Sequence, residues 1–402
     1  MSVWDDLVGQ DPAVAVLRKA VAGAAAVLRG ERGAAVAGMT HAWLITGPPG
    51  SGRSNAGRAF AAALQCANQG CGECNECRTA LSGAHPDVSL IRTELLSIRV
   101  SEVRELVRRA AMSPTQGRWQ VMVIEDADRL TEQAADALLK SIEEPSPRTV
   151  WVLCAPTVED VVPTIRSRCR LLVLRTPPVA AVAEMLSRKL EVDQDLAWFA
   201  ARAAQGHIGR ARALARDEEV RERRNKVLEV PFALRDLGAC LKAAQQLLDA
   251  AKVEAKASAE KVDEKERAAL EQALGVGTKG AKPREANAAL KELEDQQKAR
   301  AKRWERDVLD RSLVDLMALY RDVLVVQTRS GSELINAELH RNIEQLAART
   351  TPEQTVRRID AIGMCREAIE ANVAPLVALE AMTVSLFEGR SDGFTIPRRV
   401  LR

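Results

Sequence analysis

Short apolar runs alternate with helical stretches over the first 175 residues of the chain. Five of these runs predict buried strands, at residues 42–46, 88–92, 120–125, 150–154 and 170–174. The periodicity between them predicts helices at about 11–25, 53–65, 99–111, 132–143 and 158–165. Because strands and helices alternate, we expect an α/β fold in which helices cover both faces of a parallel sheet.

The pattern changes after Pro177 and Pro178, since nearly everything from there to the end has the periodicity of helices. We therefore predict three domains. They are an α/β phosphate-loop domain at 1–176, a small helical domain at 177–217 and an all-helical domain at 218–402.

A charged zone interrupts the last domain at residues 251–300, with eleven Lys and Arg against ten Asp and Glu. A break at 275–283 divides it into two arms, which predicts a helical hairpin inserted at about 251–303. The balanced charge favours a solvated, projecting spacer. A surface that docks a partner is the alternative.

Composition narrows the class of protein. Hydrophobic residues make up 47% of the chain but aromatic residues only 3%, so Ala, Leu and Val must fill cores that favour helices. A net charge of +3 is too small for binding nucleic acid over the whole surface.

We find neither a secretory signal in the first residues nor an apolar run of the roughly 18 residues that cross a bilayer. We therefore expect a cytoplasmic protein with no membrane partner and with reduced cysteines.

Residues 47–54 have the form of a phosphate-binding loop between the strand at 42–46 and the helix at 53–65. They fit the Walker A frame G-x-x-x-x-G-K-[ST], in which glycines let backbone N–H groups surround a phosphate at a helix N-terminus. Ser54 stands where a hydroxyl binds Mg²⁺. The candidate nucleotide-binding residues are Gly47, Pro48, Pro49, Gly50, Ser51, Gly52, Arg53 and Ser54.

Two departures predict that this site is degenerate. Arg53 replaces the lysine, and a planar guanidinium is not equivalent there to a compact ammonium. Glu125 and Asp126 stand in the Walker B place in inverted order, which displaces each carboxylate by about one methylene. Alternatively, both acids simply cap the strand in solvent. We expect no independent ATPase activity, whereas residual binding of ATP or ADP stays open.

Four cysteines lie close together, at Cys66, Cys71, Cys74 and Cys77. Two consecutive C-x-x-C steps suit a tetrahedral zinc ion bound by four thiolates. Because four protein ligands leave no open position, we predict one structural zinc ion. An iron–sulfur cluster and four uncoordinated cysteines are the alternatives.

The chain resembles the bacterial replicative clamp loaders of the AAA+ class over roughly residues 1–215. Besides the phosphate loop and the cysteines, the resemblance rests on LVGQ at 7–10, HPD at 85–87, ALLKSIEEP at 137–145 and TIRSRC at 164–169. It implies an AAA+ domain with an inserted zinc module, then a helical lid and an all-helical collar through which subunits assemble. The charged hairpin is not part of the resemblance.

The resemblance also implies roles for particular residues. Arg168 corresponds to an arginine finger that acts in trans on the ATP of a neighbouring subunit, and Arg166 is a competing candidate. Thr157 matches a polar sensor of the γ-phosphate. Val8 and Gly9 match a segment that lines an adenine pocket.

A second sensor arginine is missing from its place. Gly209 occupies that position, and the neighbouring Arg210 points about 100° away on a helix. Together with Arg53 and the inverted acids, this combination indicates an adaptor-type subunit that does not hydrolyse ATP.

As an adaptor-type subunit, the chain would join gamma/tau motor subunits and a delta subunit in a hetero-pentamer. That complex loads a sliding clamp onto primed DNA. Two alternatives remain, an ATP-hydrolysing gamma/tau-type motor subunit and a zinc-stabilised nucleic-acid binding protein.

Overall fold

The computed structural model describes residues 2–93, 97–273 and 284–388. The chain divides into two compact units, Met1–Arg216 and Asp217–Arg402, each with a hydrophobic core. In the described ranges we find no helix with the length and apolar character needed to cross a bilayer.

The first unit is built on a five-stranded sheet with β1 Ala42–Thr46, β2 Val88–Ile91, β3 Gln120–Ile124, β4 Thr149–Ala155 and β5 Arg170–Val173. All neighbouring strands pair in parallel, in the order β2-β3-β4-β1-β5. The predicted parallel α/β sheet is therefore confirmed, with every strand in the expected place. The prediction that all five strands are buried is wrong for β5, because this edge strand is exposed at Arg170, Leu171 and Val173.

The helices around the sheet are α1 Asp11–Leu28, α2 Arg53–Gln65, α3 Asn75–Ser82, α4 Val100–Ala110, α5 Glu132–Glu143 and α6 Pro163–Arg166. The helix predicted at 158–165 is wrong, because α6 has only four residues. Val162 is extended, since the residue before a proline is disfavoured in the helical region, and the helix begins at Pro163.

Helices cover the sheet on both faces. Trp43 and Ile45 belong to the core beside α1 and α2, where Trp43 meets Phe60 edge-on with ring centroids 5.2 Å apart. Leu44 lies between them in sequence and belongs to a second core with Leu138 of α5. Successive residues of a strand face opposite sides, so a strand between two helical layers reads as an almost continuous apolar run.

Helices α7 Val179–Leu190, α8 Gln194–Ala203 and α9 Ile208–Arg216 complete the first unit and occupy the segment predicted as the lid. Asp6 binds Lys189 of α7 at 2.6 Å and Arg212 of α9 at 2.9 Å. The N-terminal segment is thereby joined to two helices of the lid.

Asp87, the residue before β2, organises the loop that precedes β3. It is buried, and its carboxylate accepts hydrogen bonds from the backbone of Thr115 at 2.7 Å, of Gln116 at 2.8 Å and of Gly117. Burial alone would raise the pKa of Asp87, but these hydrogen bonds together outweigh it and hold the pKa below the ordinary value of 3.8. The ionised form therefore stabilises the fold.

Replacing Asp87 with asparagine is expected to lower the free energy of unfolding at neutral pH by about 2 kcal/mol, because the donors lose a charged acceptor. A depressed pKa contributes stability that is present above 3.8 and lost as the pH falls through the lower folded value. The difference between variant and wild type should therefore shrink in acid. Urea unfolding at about pH 7 and about pH 3 measures it, with the exposed Asp136→Asn as control. A difference that is the same at both values would contradict this assignment.

The described part of the second unit consists of the helices α10 Glu218–Ala233, α11 Leu237–Ala273, α12 Arg284–Thr328, α13 His340–Ala348, α14 Pro352–Glu370 and α15 Pro375–Glu388. Leucines dominate its core, as the low aromatic content predicts. The break predicted at 275–283 lies outside the described residues.

Helices α11 and α12 are the two arms of the predicted hairpin. Their contacts run antiparallel, because Arg311 binds Glu254 at 2.9 Å whereas Arg300 binds Glu266 at 2.8 Å. Arg300 is only 4% exposed, and its guanidinium lies 5.9 Å from the ring centroid of Trp304. The arms therefore bury the Arg300 side of a partly exposed ion pair, which a purely solvated spacer would lack.

Candidate functional site

The phosphate loop lies at the carboxyl end of β1 and leads into the first turn of α2, as predicted. Gly50 and Gly52 have φ of 80° and 96°, in the left-handed region that favours glycine. Pro48 and Pro49 are exposed, whereas Ser51 is buried. The backbone frame of a phosphate site is therefore present.

Arg53 turns back onto its own loop. Its guanidinium donates a hydrogen bond to the carbonyl of Gly47, the first residue of the loop, while the next residue, Ser54, is half-buried. Burial lowers the pKa of Arg53, and nearby Asp128 and other groups oppose that effect. The guanidinium of Arg53 thus binds the backbone of the loop in this conformation.

The lid contacts the loop directly. The backbone N–H of Ile208 donates to the carbonyl of Gly50 at 3.2 Å. A Cβ atom added at Gly50 would lie 2.3 Å from Cγ and 2.4 Å from Cα of His207, so that position accepts only glycine. This close contact and the positive φ of Gly50 both require glycine at a position that the Walker A frame leaves variable.

Val8 and Gly9, the predicted adenine segment, line a cavity of about 290 Å³ with Met185 and Arg188 of α7. Gly9 has a φ of 68°, and a Cβ atom there would come within 2.6 Å of Cδ of Pro178. The predicted pocket residues therefore lie together, between the N-terminal segment and the lid.

Glu125, the first acidic residue in the Walker B place, forms an ion pair. Arg58, on α2, donates from Nε to Oε1 of the buried Glu125 at 2.5 Å. Glu125 is therefore ion-paired rather than solvated, and the alternative of a solvent-exposed cap is wrong for this residue. Asp126 follows and is half-buried, and Asp128 has a pKa raised by burial and by the charge of Asp126.

Residues at and beside the two sensor positions form hydrogen bonds within their own chain. Thr157 is exposed, and both its N–H and its hydroxyl donate to Asp160, each at 2.9 Å. Gly209 lies in α9, and the N–H of Arg210 donates to Nδ1 of His207 at 3.2 Å.

Arg168 lies at the surface after α6. Its Nε donates to Oε1 of Glu143 at 2.6 Å, and its Nη1 donates to the carbonyl of Thr164 at 2.8 Å. Arg166, the competing candidate, is half-buried. Of the two arginines, Arg168 is therefore the more accessible to another molecule.

The four cysteines of the predicted metal site lie together. Their Sγ atoms are all within 4.8 Å of one another, and Sγ of Cys66 lies 3.7 Å from Sγ of both Cys71 and Cys74. A tetrahedron with zinc–sulfur bonds of about 2.3 Å has sulfur–sulfur edges of about 3.8 Å. The cluster therefore has the dimensions of a four-thiolate metal site.

Backbone contacts shape this cluster. Sγ of Cys74 accepts from the N–H of Cys77 and caps α3, while Cys77 is buried. Hydrogen bonds from the backbone of Glu73 and Cys74 lower the pKa of Cys71 to about 7, whereas burial raises the pKa of Cys77. The N–H of Val3 donates to the carbonyl of Gly70 at 3.1 Å, so the N-terminal segment packs on the cluster.

Sequence comparisons agree with these features. The family described as "DNA polymerase III, delta subunit" matches residues 29–178, which include the loop, the cysteines and Arg168. The DNA polymerase III subunit delta' of Bacillus subtilis is 25% identical over 357 residues, which cover 87% of this chain and 92% of that protein. The chain is thus similar to a bacterial delta' subunit over most of its length. The resemblance to clamp-loader subunits that the motifs predict is thereby confirmed.

Other relatives match mainly the first unit. The delta' subunit of Pseudomonas aeruginosa is 35% identical over 195 residues, which cover 47% of this chain and 60% of that relative. The gamma/tau subunit of Mycobacterium bovis is 33% identical over 159 residues, which cover 38% of this chain and 27% of that protein. This chain therefore spans less than two thirds of the length of both these relatives.

Three residues that make contacts at the site were given no role by the sequence analysis. Arg58 has no motif, although it lies five residues after Arg53 on the same helix, and His207 reaches the loop only through the fold. Glu143 belongs to the ALLKSIEEP segment, which indicated a family but no contact with Arg168.

Proposed function

We propose that the chain is a delta'-type subunit of the DNA polymerase III clamp loader that aids ATP-dependent loading of the sliding clamp onto primed DNA. It would act in the cytoplasm, in a hetero-pentamer with gamma/tau motor subunits and a delta subunit. One contrast carries the proposal. Arg53 and Glu125 make their own-chain contacts where they are partly or fully buried, whereas Arg168 is paired with Glu143 at the exposed surface.

The chain's own ATP site is degenerate in this proposal. The guanidinium of Arg53 binds the loop's own carbonyl, so it does not occupy the place of an ammonium between two phosphates. Arg58 neutralises Glu125, which reduces its capacity to bind a metal ion or to polarise water. The contact of His207 with Gly50 supports the same conclusion, because it brings the lid against the loop.

Arg168 is an arginine finger in this proposal. Its planar guanidinium can donate two parallel hydrogen bonds to phosphate oxygens, which an ammonium cannot do. Supplied by another subunit, such a group stabilises the charge on the transferred phosphoryl group. The exposure of Arg168 supports this role, because a residue that acts in trans must be reachable.

The cysteine cluster holds one structural zinc ion in this proposal. Cys66, Cys71, Cys74 and Cys77 would bind it as thiolates, and four ligands leave no position for a substrate. The ion would fix the segment after α2 and the N-terminal segment that packs on it.

The test is a reconstituted complex in which this chain carries Arg53→Ala. ATP hydrolysis with clamp and primed DNA is expected to stay within about twofold of the wild-type rate, because this site makes no transition-state contact. Substitution of the phosphate-loop lysine in the motor subunits is the positive control and should remove most of the hydrolysis. A large loss on Arg53→Ala would contradict the proposed degeneracy.

A motor role is the second candidate, favoured by the match to a gamma/tau subunit. In that case the purified chain hydrolyses ATP by itself, and Arg53→Ala or Asp126→Ala removes the activity. Hydrolysis that is absent from the purified chain and unaffected by Arg53→Ala in the complex would rule this role out.

A further inference from the structure

Arg168 is bound by its own subunit through most of its donors. Nε donates to Oε1 of Glu143 at 2.6 Å, and Nη2 contacts the same oxygen. Nη1 donates to the carbonyl of Thr164 at 2.8 Å and to the hydroxyl of Ser167 at 3.3 Å. The Nε–Nη2 edge, which binds planar anions in a bidentate way, therefore faces Glu143.

We propose that Glu143 is a positioning residue that holds Arg168 in a parked orientation and so restrains ATP hydrolysis in the neighbouring subunit. This inference rests on the proposed role of Arg168 as a finger. The edge of the guanidinium that contacts Glu143 is an edge that would bind phosphate oxygens, so those donors cannot serve both partners at once. Engagement of a γ-phosphate by this edge thus requires release from Glu143.

The placement of Glu143 supports a role directed at Arg168. It is the last residue of α5, where a negative charge opposes the helix dipole and does not stabilise the helix. The preceding Ile142 is fully buried, which fixes the end of α5 against the core. On the other side, the N–H of Arg168 donates to the carbonyl of Ile165 at 3.0 Å, which fixes the backbone of the finger.

The ion pair of Arg168 and Glu143 is weak enough for a phosphate to displace Glu143. The side chain of Arg168 is 39% exposed and that of Glu143 is 45% exposed, and exposed ion pairs contribute little. A phosphate that carries more charge in a water-excluded site competes effectively with one exposed carboxylate. Glu143 therefore restrains the finger without blocking it, and its loss should change the rate by roughly two- to fivefold.

The experiment uses the reconstituted complex without clamp or DNA. Single-turnover ATP hydrolysis defines the adjoining site as the phase that Arg168→Ala removes. In that phase, Glu143→Gln is expected to raise the single-turnover rate constant at saturating ATP by about two- to fivefold. The ATP concentration that gives half of that rate should stay unchanged, because the finger acts in the transition state. Glu143→Asp, which restores the charge, should return the rate toward wild type.

Two controls separate this restraint from a structural effect. Glu144→Gln removes the same charge at the adjacent exposed residue and should leave the rate unchanged. In the Arg168→Ala background, Glu143→Gln should have no effect on ATP hydrolysis. If Arg168→Ala lowers the rate but Glu143→Gln leaves it unchanged or lowers it, the proposed restraint by Glu143 is refuted. The proposed role of Arg168 as an arginine finger is then still supported. If Arg168→Ala has no effect, the proposed finger itself fails.

Discussion

Replacing Arg168 with alanine is expected to slow ATP hydrolysis at the adjoining motor site by about 10³-fold or more, while the complex stays assembled. The guanidinium offsets charge on the transferred phosphoryl group, and we expect that the half-buried Arg166 does not replace it. Because only the adjoining site would depend on this residue in the proposed complex, the total rate of the complex should fall less. Single-turnover hydrolysis in the presence of clamp and primed DNA resolves the affected site.

Two matched variants define the cause. Arg168→Lys keeps the charge but lacks the planar fork, so it should recover only part of the rate. Arg166→Ala removes a neighbouring arginine and should leave the rate near wild type if Arg168 is the finger. Gel filtration of each complex checks assembly. Wild-type hydrolysis by a well-assembled Arg168→Ala complex would overturn the role in trans.

Replacing Cys77 with serine is expected to abolish metal binding and to lower the free energy of unfolding of the first unit by about 4 kcal/mol or more. Structural zinc sites bind with apparent free energies of about 10–16 kcal/mol in small zinc domains, and removal of one thiolate forfeits much of that energy. For a unit of this size, about 4 kcal/mol corresponds to a fall in Tm of roughly 8–16 °C. Calorimetry and metal analysis of the purified chain measure both effects.

Cys154→Ser is the control, because Cys154 is equally buried in the same unit but lies outside the cluster. It should retain one ion per chain. Elemental analysis distinguishes zinc from iron, and an iron–sulfur cluster would also colour the protein. A metal-free wild type that is as stable as the Cys77→Ser variant would show that the cysteines act only as packing residues.

The sheet was predictable because its three central strands, β1, β3 and β4, are buried on both faces. Such strands carry no polar alternation, so their apolar runs stand out between amphipathic helices. The helix at 158–165 was predicted too long, since periodicity ignores the effect of Pro163 on the residue before it. Glycine spacing and cysteine spacing likewise located the phosphate loop and the cluster, because both motifs are local.

Contacts between distant residues were not predictable. The pair of Arg58 and Glu125 joins residues 67 positions apart, and neither spacing nor composition indicates it. The contact of His207 with Gly50 depends on how the lid packs. In the charged hairpin, balanced composition suggested solvation, yet the register of the arms buries Arg300. Each of these contacts requires a three-dimensional arrangement that no local pattern contains.

The packing of His207 on Gly50 places a constraint on the phosphate loop that does not depend on a bound nucleotide. Any side chain at position 50 would collide with the lid, whether or not the loop binds a phosphate. Folding of the first unit therefore requires a glycine at a position that the Walker A frame leaves variable. Under the proposed degeneracy, introducing lysine at position 53 would not by itself produce a motor subunit, because the lid contact and the pairing of Glu125 would remain.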